Sequence, residues 1–354
     1  MKPFIYESRP GRVVFGEGSI AKVGEEVQRL GLKRVVVLSG GELVSLADRV
    51  KDLIGADCVD VMAEAVMHTP VDVTEAVLTK VEALKADGLV AIGGGSSIGL
   101  AKAIALRTDL PQIAIPTTYA GSEMTPVIGE TKDGAKVTQT TPKVLPEVVI
   151  YDADLTLGLP VHISVTSGIN AIAHAVEALY ARDRTPVIDL IAQEGIKALF
   201  EAIPLIAANP SDKAARARAQ YGAWMCGMCL AGAGMALHHK LCHTLGGSFG
   251  LPHAETHTVI LPHALAYNAP AVPEAMAALR AATGHDDPAL ALQMLSRDAG
   301  GPVSLAGLGL GEGDLAEVVE RALANPYWNP RPLEAGPLRQ ILQRAYAGEA
   351  PITP

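Results

Sequence analysis

Leu89-Val90-Ala91-Ile92-Gly93-Gly94-Gly95-Ser96-Ser97-Ile98-Gly99 is the stretch that decides the fold. Four apolar residues read as a buried strand, three glycines as a tight turn, and the run that follows as a helix reaching Lys102. Glycines at such a turn let backbone N–H groups approach a pyrophosphate, and the helix N-terminus adds partial positive charge. Gly94, Gly95 and Ser96 are therefore candidate phosphate contacts. The pattern is neither G-x-G-x-x-G nor a P-loop, because no Gly-Lys-Ser/Thr follows. A strand-to-helix turn without a ligand is the plain alternative.

Outward from this turn, short β-branched runs recur through the first 150 residues: Val35–Leu38, Cys58–Val61, Gln112–Ile115 and Val148–Ile150. Nearly continuous apolar runs are the mark of strands covered on both faces. Between them Val73, Val77, Val81 and Leu84 fall at helical spacing. Alternating strands and helices predict a parallel, doubly wound sheet, which binds ligands at the carboxyl ends of its strands. A second candidate loop follows the next strand, Pro116-Thr117-Thr118-Tyr119-Ala120-Gly121-Ser122-Glu123-Met124-Thr125. The hydroxyls of Thr117, Thr118 and Ser122 suit ribose and phosphate, although a capped helix start would look the same. Two such loops on neighbouring strands favour a dinucleotide.

Beyond Asp152 strand signals stop, and residues 160–350 are rich in Ala, Leu and Glu, with helix periodicity interrupted at Pro204, Pro210, Pro252, Pro262, Pro270 and Pro288. The reading is an α/β dinucleotide-binding domain over 1–155 and an all-α domain over 156–354, with a site expected between them. The 354 residues carry 29 Lys and Arg against 38 Asp and Glu, a formal net charge of −9. That balance excludes a nucleic-acid or anionic-membrane binder. Four cysteines are no secreted disulfide framework, and the N-terminus is no signal peptide, so a cytoplasmic protein is expected. The longest uncharged run, Tyr221–Leu237, falls short of the roughly 18–20 residues of a membrane span and reads as one buried helix. Within it, Cys226 and Cys229 read as core packing rather than a redox pair.

His238, His239, His243, His253, His257 and His263 cluster in one stretch. His239 and His243 lie four apart and share a helix face, as do Asn170 and His174 upstream. Imidazoles at this spacing serve metal sites and proton transfer. A core role remains open for His238, His257 and His263.

The glycine turn, the 116–125 loop, Gly168–His174 and His239–His253 together resemble the iron-containing (group III) alcohol dehydrogenase family over essentially the whole chain. The resemblance implies an N-terminal dinucleotide-binding domain, a helical C-terminal domain, and a metal held by an Asp, a His four residues later and two His fourteen apart. Those positions are Asn170, His174, His239 and His253. A further histidine near substrate and nicotinamide matches His243. The amide at Asn170 removes one negative charge from a dication site, which lowers the affinity for hard cations and Fe(II). With the Met67–Val71, Leu251–His257 and Asn325–Pro332 segments, Asn170 looks like the branch that reduces maleylacetate to 3-oxoadipate and is regarded as needing no iron.

From this resemblance Lys136 is expected near the cofactor phosphates or ribose. Ser39-Gly40-Gly41-Glu42 occupies the place where NAD-selective relatives carry an Asp, so NADPH should be tolerated beside NADH. His243 is expected to act as principal acid, His239, His253, His174 and Asn170 to shape a polar pocket, and Arg331 and Tyr327 to hold a substrate carboxylate. No metal is expected to be required; the residual set for zinc or iron is His174, His239 and His253. The family also implies a homodimer. The rival readings are a metal-dependent alcohol or aldehyde dehydrogenase, a related dehydroquinate or glycerol-phosphate enzyme, and a non-enzymatic helical scaffold. A dicarboxylate substrate entering an acidic chain requires local attraction, expected from the glycine turn, helix N-termini and imidazoles.

Overall fold

The glycine turn passes from a strand directly into a helix, and both belong to a parallel sheet. The structure is a computed structural model and describes residues 4–6, 11–132 and 135–353. The side chains of Ala135 and Lys136 fall outside the described residues, and with them the expectation for Lys136. The chain forms two compact units, Ser8–Leu159 and Pro160–Pro354, the latter joined by Met1–Glu7.

The first unit carries β1 (Arg12–Phe15), α1 (Val23–Arg29), β2 (Val35–Leu38), α2 (Val44–Ile54), β3 (Cys58–Met62), α3 (Val71–Ala83), β4 (Gly88–Gly93), α4 (Gly95–Thr108), β5 (Gln112–Pro116), β6 (Val127–Lys132), β7 (Ala135–Thr140) and β8 (Val148–Tyr151). Six strands form one sheet in the order β1-β8-β5-β4-β2-β3, every neighbouring pair parallel. β2, β4, β5 and β8 are buried along their whole length, which is why they read as continuous apolar runs. On one face Val35, Val37, Val90, Ile92, Ile113, Ile115, Val148 and Ile150 pack with Val23 and Val27 of α1 and Val50 of α2. Each such side chain contributes about 1.5–3 kcal/mol of burial.

Two features escaped the strand reading. β1 is a four-residue edge strand beside β8 in which only Val14 is buried, so it lacks the fully covered apolar run of the inner strands. β6 and β7 form an antiparallel hairpin separate from the sheet. Its sequence signal was available in Asp133-Gly134, a turn dipeptide between two alternating runs.

The second unit is helical: α5 (Val161–Ala178), α6 (Pro186–Ala208), α7 (Lys213–Gly232), α8 (Leu237–Phe249), α9 (His253–Asn268), α10 (Pro273–Thr283), α11 (Pro288–Asp298), α12 (Leu315–Ala324) and α13 (Ala335–Ala347). α5 is buried without interruption from Ser164 to Ala178 and packs against α6, α7 and α9. Two expectations need correction. Pro204 and Pro262 lie inside α6 and α9 rather than breaking them, because burial along both helices offsets the lost backbone hydrogen bond. The uncharged run 221–237 is not one helix: α7 ends at Gly232 and α8 begins at Leu237. Among the described residues no helix is long and apolar enough to cross a membrane.

Candidate active site

The break between α7 and α8 assembles the histidine cluster. Opening the chain at Gly232–Ala236 strips the first turn of α8 of helical partners, and a carboxylate from α5 supplies them. Glu177, fully buried, accepts from the backbone N–H of Ala236 at 2.7 Å and of His238 at 2.8 Å. Its Oε2 also lies 2.7 Å from His239 Nδ1. A negative group at a helix N-terminus is doubly favoured, by the free amides and by the dipole. Glu177 escaped the sequence reading; its signal was its place three residues after His174, on the helical face that His174 shares with Asn170.

His239 passes the arrangement onward. With Nδ1 held by Glu177, its Nε2 stands 2.8 Å from His174 Nδ1, and the two rings stack with centroids 5.0 Å apart. A carboxylate at one ring nitrogen fixes the tautomer and directs the other nitrogen. His257 lies against this pair, with its ring 5.0 Å from His239 and 4.3 Å from His253. His238 Nε2 is 2.9 Å from His257 Nδ1 and 3.7 Å from Cys242 Sγ. His174, His238, His239, His243, His253 and His257 are thus one constellation, while His263 is buried elsewhere with neither ring nitrogen hydrogen-bonded. His238 and His257 are driven by burial well below the ordinary imidazole range, with the neighbouring imidazoles adding to it.

At the more open side His243 Nδ1 meets the Tyr327 hydroxyl at 2.9 Å. Burial first, and the Glu177 charge second, raise the Tyr327 phenol above its usual range. Lys240, one turn before His243, carries its Nζ 5.6 Å from the centre of the Tyr327 ring. Arg331 is engaged elsewhere: it donates to the Tyr267 carbonyl at 2.8 Å and stacks over that ring at 4.3 Å.

The chemistry of the donor set tests the family's metal. Asn170 and His174 on α5, His239 on α8 and His253 on α9 offer an amide oxygen and three imidazoles, with no carboxylate among them. The Glu177 carboxylate is occupied by backbone N–H groups and by His239 Nδ1. Asn170 is buried, and its Oδ1 has no hydrogen-bond partner. Without the family's carboxylate this set has one negative charge less to offer Fe(II) or a hard cation, while its three imidazoles remain a donor set for zinc. A second group, His238, Cys242 and His257, brings one donor atom from each within 4.8 Å of the others. Burial, followed by the Glu177 charge, pushes the Cys242 thiol well above its ordinary range, so this group packs as neutral side chains.

In the first unit the two glycine-bearing loops lie side by side. Gly93 pairs with Pro116 across β4 and β5, and the Thr117 N–H donates to the Gly93 carbonyl at 3.0 Å. Gly93 takes φ 142°, and a Cβ on Gly94 would stand 2.9 Å from the Thr118 side chain. Gly95, the first residue of α4, faces open space, so the helix N-terminus is accessible to an anion. These features fit a dinucleotide pyrophosphate. Ser96, Thr118 and Ser122 are partly accessible, Thr117 is buried, and Ser39 is fully buried at the end of β2 with its hydroxyl unpartnered. Glu42 folds back over Gly40, its carboxylate oxygens 2.5 and 2.6 Å from where a Gly40 Cβ would be. Lys102 of α4 is buried and donates to the carbonyls of Ser122, Thr125 and Val127 at 2.5, 2.8 and 3.0 Å, bracing the second loop. The sequence places Glu42 after β2 and Lys102 on the helix but gives neither a role.

The chain is similar to known proteins along its whole length. Residues 10–153 match the family described as iron-containing alcohol dehydrogenase, and residues 164–346 match the C-terminal part of the Fe-containing alcohol dehydrogenase family. A maleylacetate reductase from Rhizobium sp. strain MTP-10005 is 54% identical, covering 99% of this chain and 100% of that protein. One from Sphingobium indicum is 51% identical over 99% of each. The crystal structure of maleylacetate reductase from Agrobacterium tumefaciens superposes with a TM-score of 0.96 at 53% identity, covering 99% of this chain and 100% of that one. The fold and the family support a nicotinamide cofactor. The chain belongs to the iron-containing alcohol dehydrogenase family.

Proposed function

We propose that the protein reduces the carbon–carbon double bond of maleylacetate to 3-oxoadipate with NADH or NADPH, without a required metal. The observation that carries this reading is the donor set in which Asn170 stands in place of a carboxylate, coupled to a carboxylate–imidazole chain able to hold and move protons. The half-identical full-length maleylacetate reductases support it. Hydride from the nicotinamide adds to the alkene carbon β to the ketone, and the electron pair displaced from the double bond collects on the ketone oxygen as an enolate. Imidazole and phenol donors held in place stabilise that oxyanion. The His243–Tyr327 pair then delivers one proton to the α carbon, completing the addition of two hydrogens. His239, held by Glu177, together with His174, His253 and the acceptor oxygen of Asn170, shapes the pocket. Gly94, Gly95, Ser96, Thr117, Thr118 and Ser122 hold the dinucleotide.

Both cofactors are accepted because no Asp follows β2, and Glu42 weights the choice toward NADH by repelling a 2′-phosphate. Glu42→Gln should raise kcat/KM for NADPH severalfold while leaving NADH nearly unchanged. The reaction itself is tested by NADH oxidation with maleylacetate against a panel of aldehydes, with and without chelator, beside metal analysis of the purified protein. Chelator-sensitive aldehyde reduction with no maleylacetate turnover would replace this reading with a metal-dependent alcohol or aldehyde dehydrogenase.

A further inference from the structure

Lys240 is a cation with no anion to hold it. Among the described residues, the other partly buried cations have partners. Arg107 pairs with Glu75 and Glu130, Arg184 with Glu274, Arg218 with Glu194 and Glu201, and Arg344 with Glu349. Lys102 donates to loop carbonyls. Lys240 is partly buried on α8, yet among the described residues no carboxylate pairs with it, and its ammonium lies against the face of Tyr327. In a chain where acids outnumber bases, 38 to 29, this ammonium is met by the face of one aromatic ring and by no carboxylate.

Its place says what pairs with it. Lys240 precedes His243 by one helical turn, so the two share a face of α8. Its Nζ lies over the ring whose hydroxyl meets His243 Nδ1 at 2.9 Å. An anion against this ammonium therefore sits beside the pair assigned to proton delivery. We propose that Lys240 binds a carboxylate of the substrate and so selects dicarboxylates over neutral enones and aldehydes. Arg331, the cation that the sequence suggested for this task, is instead stacked on Tyr267. This inference rests on the proposed reduction of a dicarboxylate.

The test is Lys240→Met and Lys240→Arg, assayed with maleylacetate, with its neutral dimethyl ester, and for inhibition by 3-oxoadipate. Cofactor affinity from nicotinamide fluorescence serves as the measure of an intact fold. Lys240→Met should raise KM for maleylacetate and Ki for 3-oxoadipate about tenfold or more. The loss should fall on KM more than on kcat, Arg should restore most of it, and cofactor affinity should not move. Any turnover of the ester should be insensitive to the substitution. Equal losses with ester and acid, or an unchanged Ki, would overturn the proposal. Failure of the wild-type protein to reduce maleylacetate while still binding 3-oxoadipate through Lys240 would count against the reaction and leave the anion site standing.

Discussion

Asn170 is a single-residue change with a charge consequence. A carboxylate there would complete a site with one anionic and three imidazole donors; the amide leaves a buried Oδ1 with no partner and no charge. Asn170→Asp should retain more iron or zinc through purification, read by metal analysis. It should also weaken maleylacetate binding, because it places a negative charge where a dianion must come. Equal metal content in the two proteins would show that this position does not govern the site. His243→Ala should lower kcat for maleylacetate by about 10²–10⁴-fold, the usual contribution of a positioned acid, with cofactor binding unchanged. Near-full activity in that variant would remove His243 from the proton-delivery step.

Elements are where single side chains hold whole segments. Glu177 joins α5 to the first turn of α8 through three backbone N–H groups, those of Ala236, His238 and His239, and through the His239 ring. Glu177→Ala leaves these donors buried and unpaired, a loss on the order of 3 kcal/mol, read as a lower urea midpoint. Lys102 does similar work in the first unit, from α4 to the loop after β5. Burial lowers its ammonium to about 7, against the opposing pull of the Glu123 carboxylate. Lys102→Met removes the donor from three loop carbonyls. It should weaken nicotinamide binding about tenfold or more, the effect of losing one to two such interactions at about 1–3 kcal/mol each, with little change in KM for maleylacetate. Fluorescence titration separates that outcome from general unfolding, which would depress both.

For the whole molecule, acid stability follows from its buried imidazoles. His263 is driven down to about 4, chiefly by burial and secondarily by the Arg344 charge. The unfolded chain takes up this proton near pH 6.5, and the folded protein only near 4. The stabilisation is therefore complete above 6.5 and is lost as pH falls through that window. The loss from His263 amounts to on the order of 3 kcal/mol at pH 4. His263→Phe should flatten the fall in unfolding midpoint between pH 6.5 and 4; an unchanged slope would show that other groups carry it.

Local pattern determined much of this protein. Continuous apolar runs at Val35–Leu38, Leu89–Ile92 and Val148–Ile150 specify strands covered on both faces, and the glycines after Ile92 specify a turn open to phosphate. Both depend on neighbours in sequence. Histidine spacing likewise placed His239 and His243 on one helix face. Tertiary structure alone decided that Glu177 closes α8, that Lys102 braces a loop about twenty residues away, that Arg331 is stacked on Tyr267, and that Lys240 is left without an anion. No sequence period encodes those relations, because a charge buried among distant elements takes its partner from the fold.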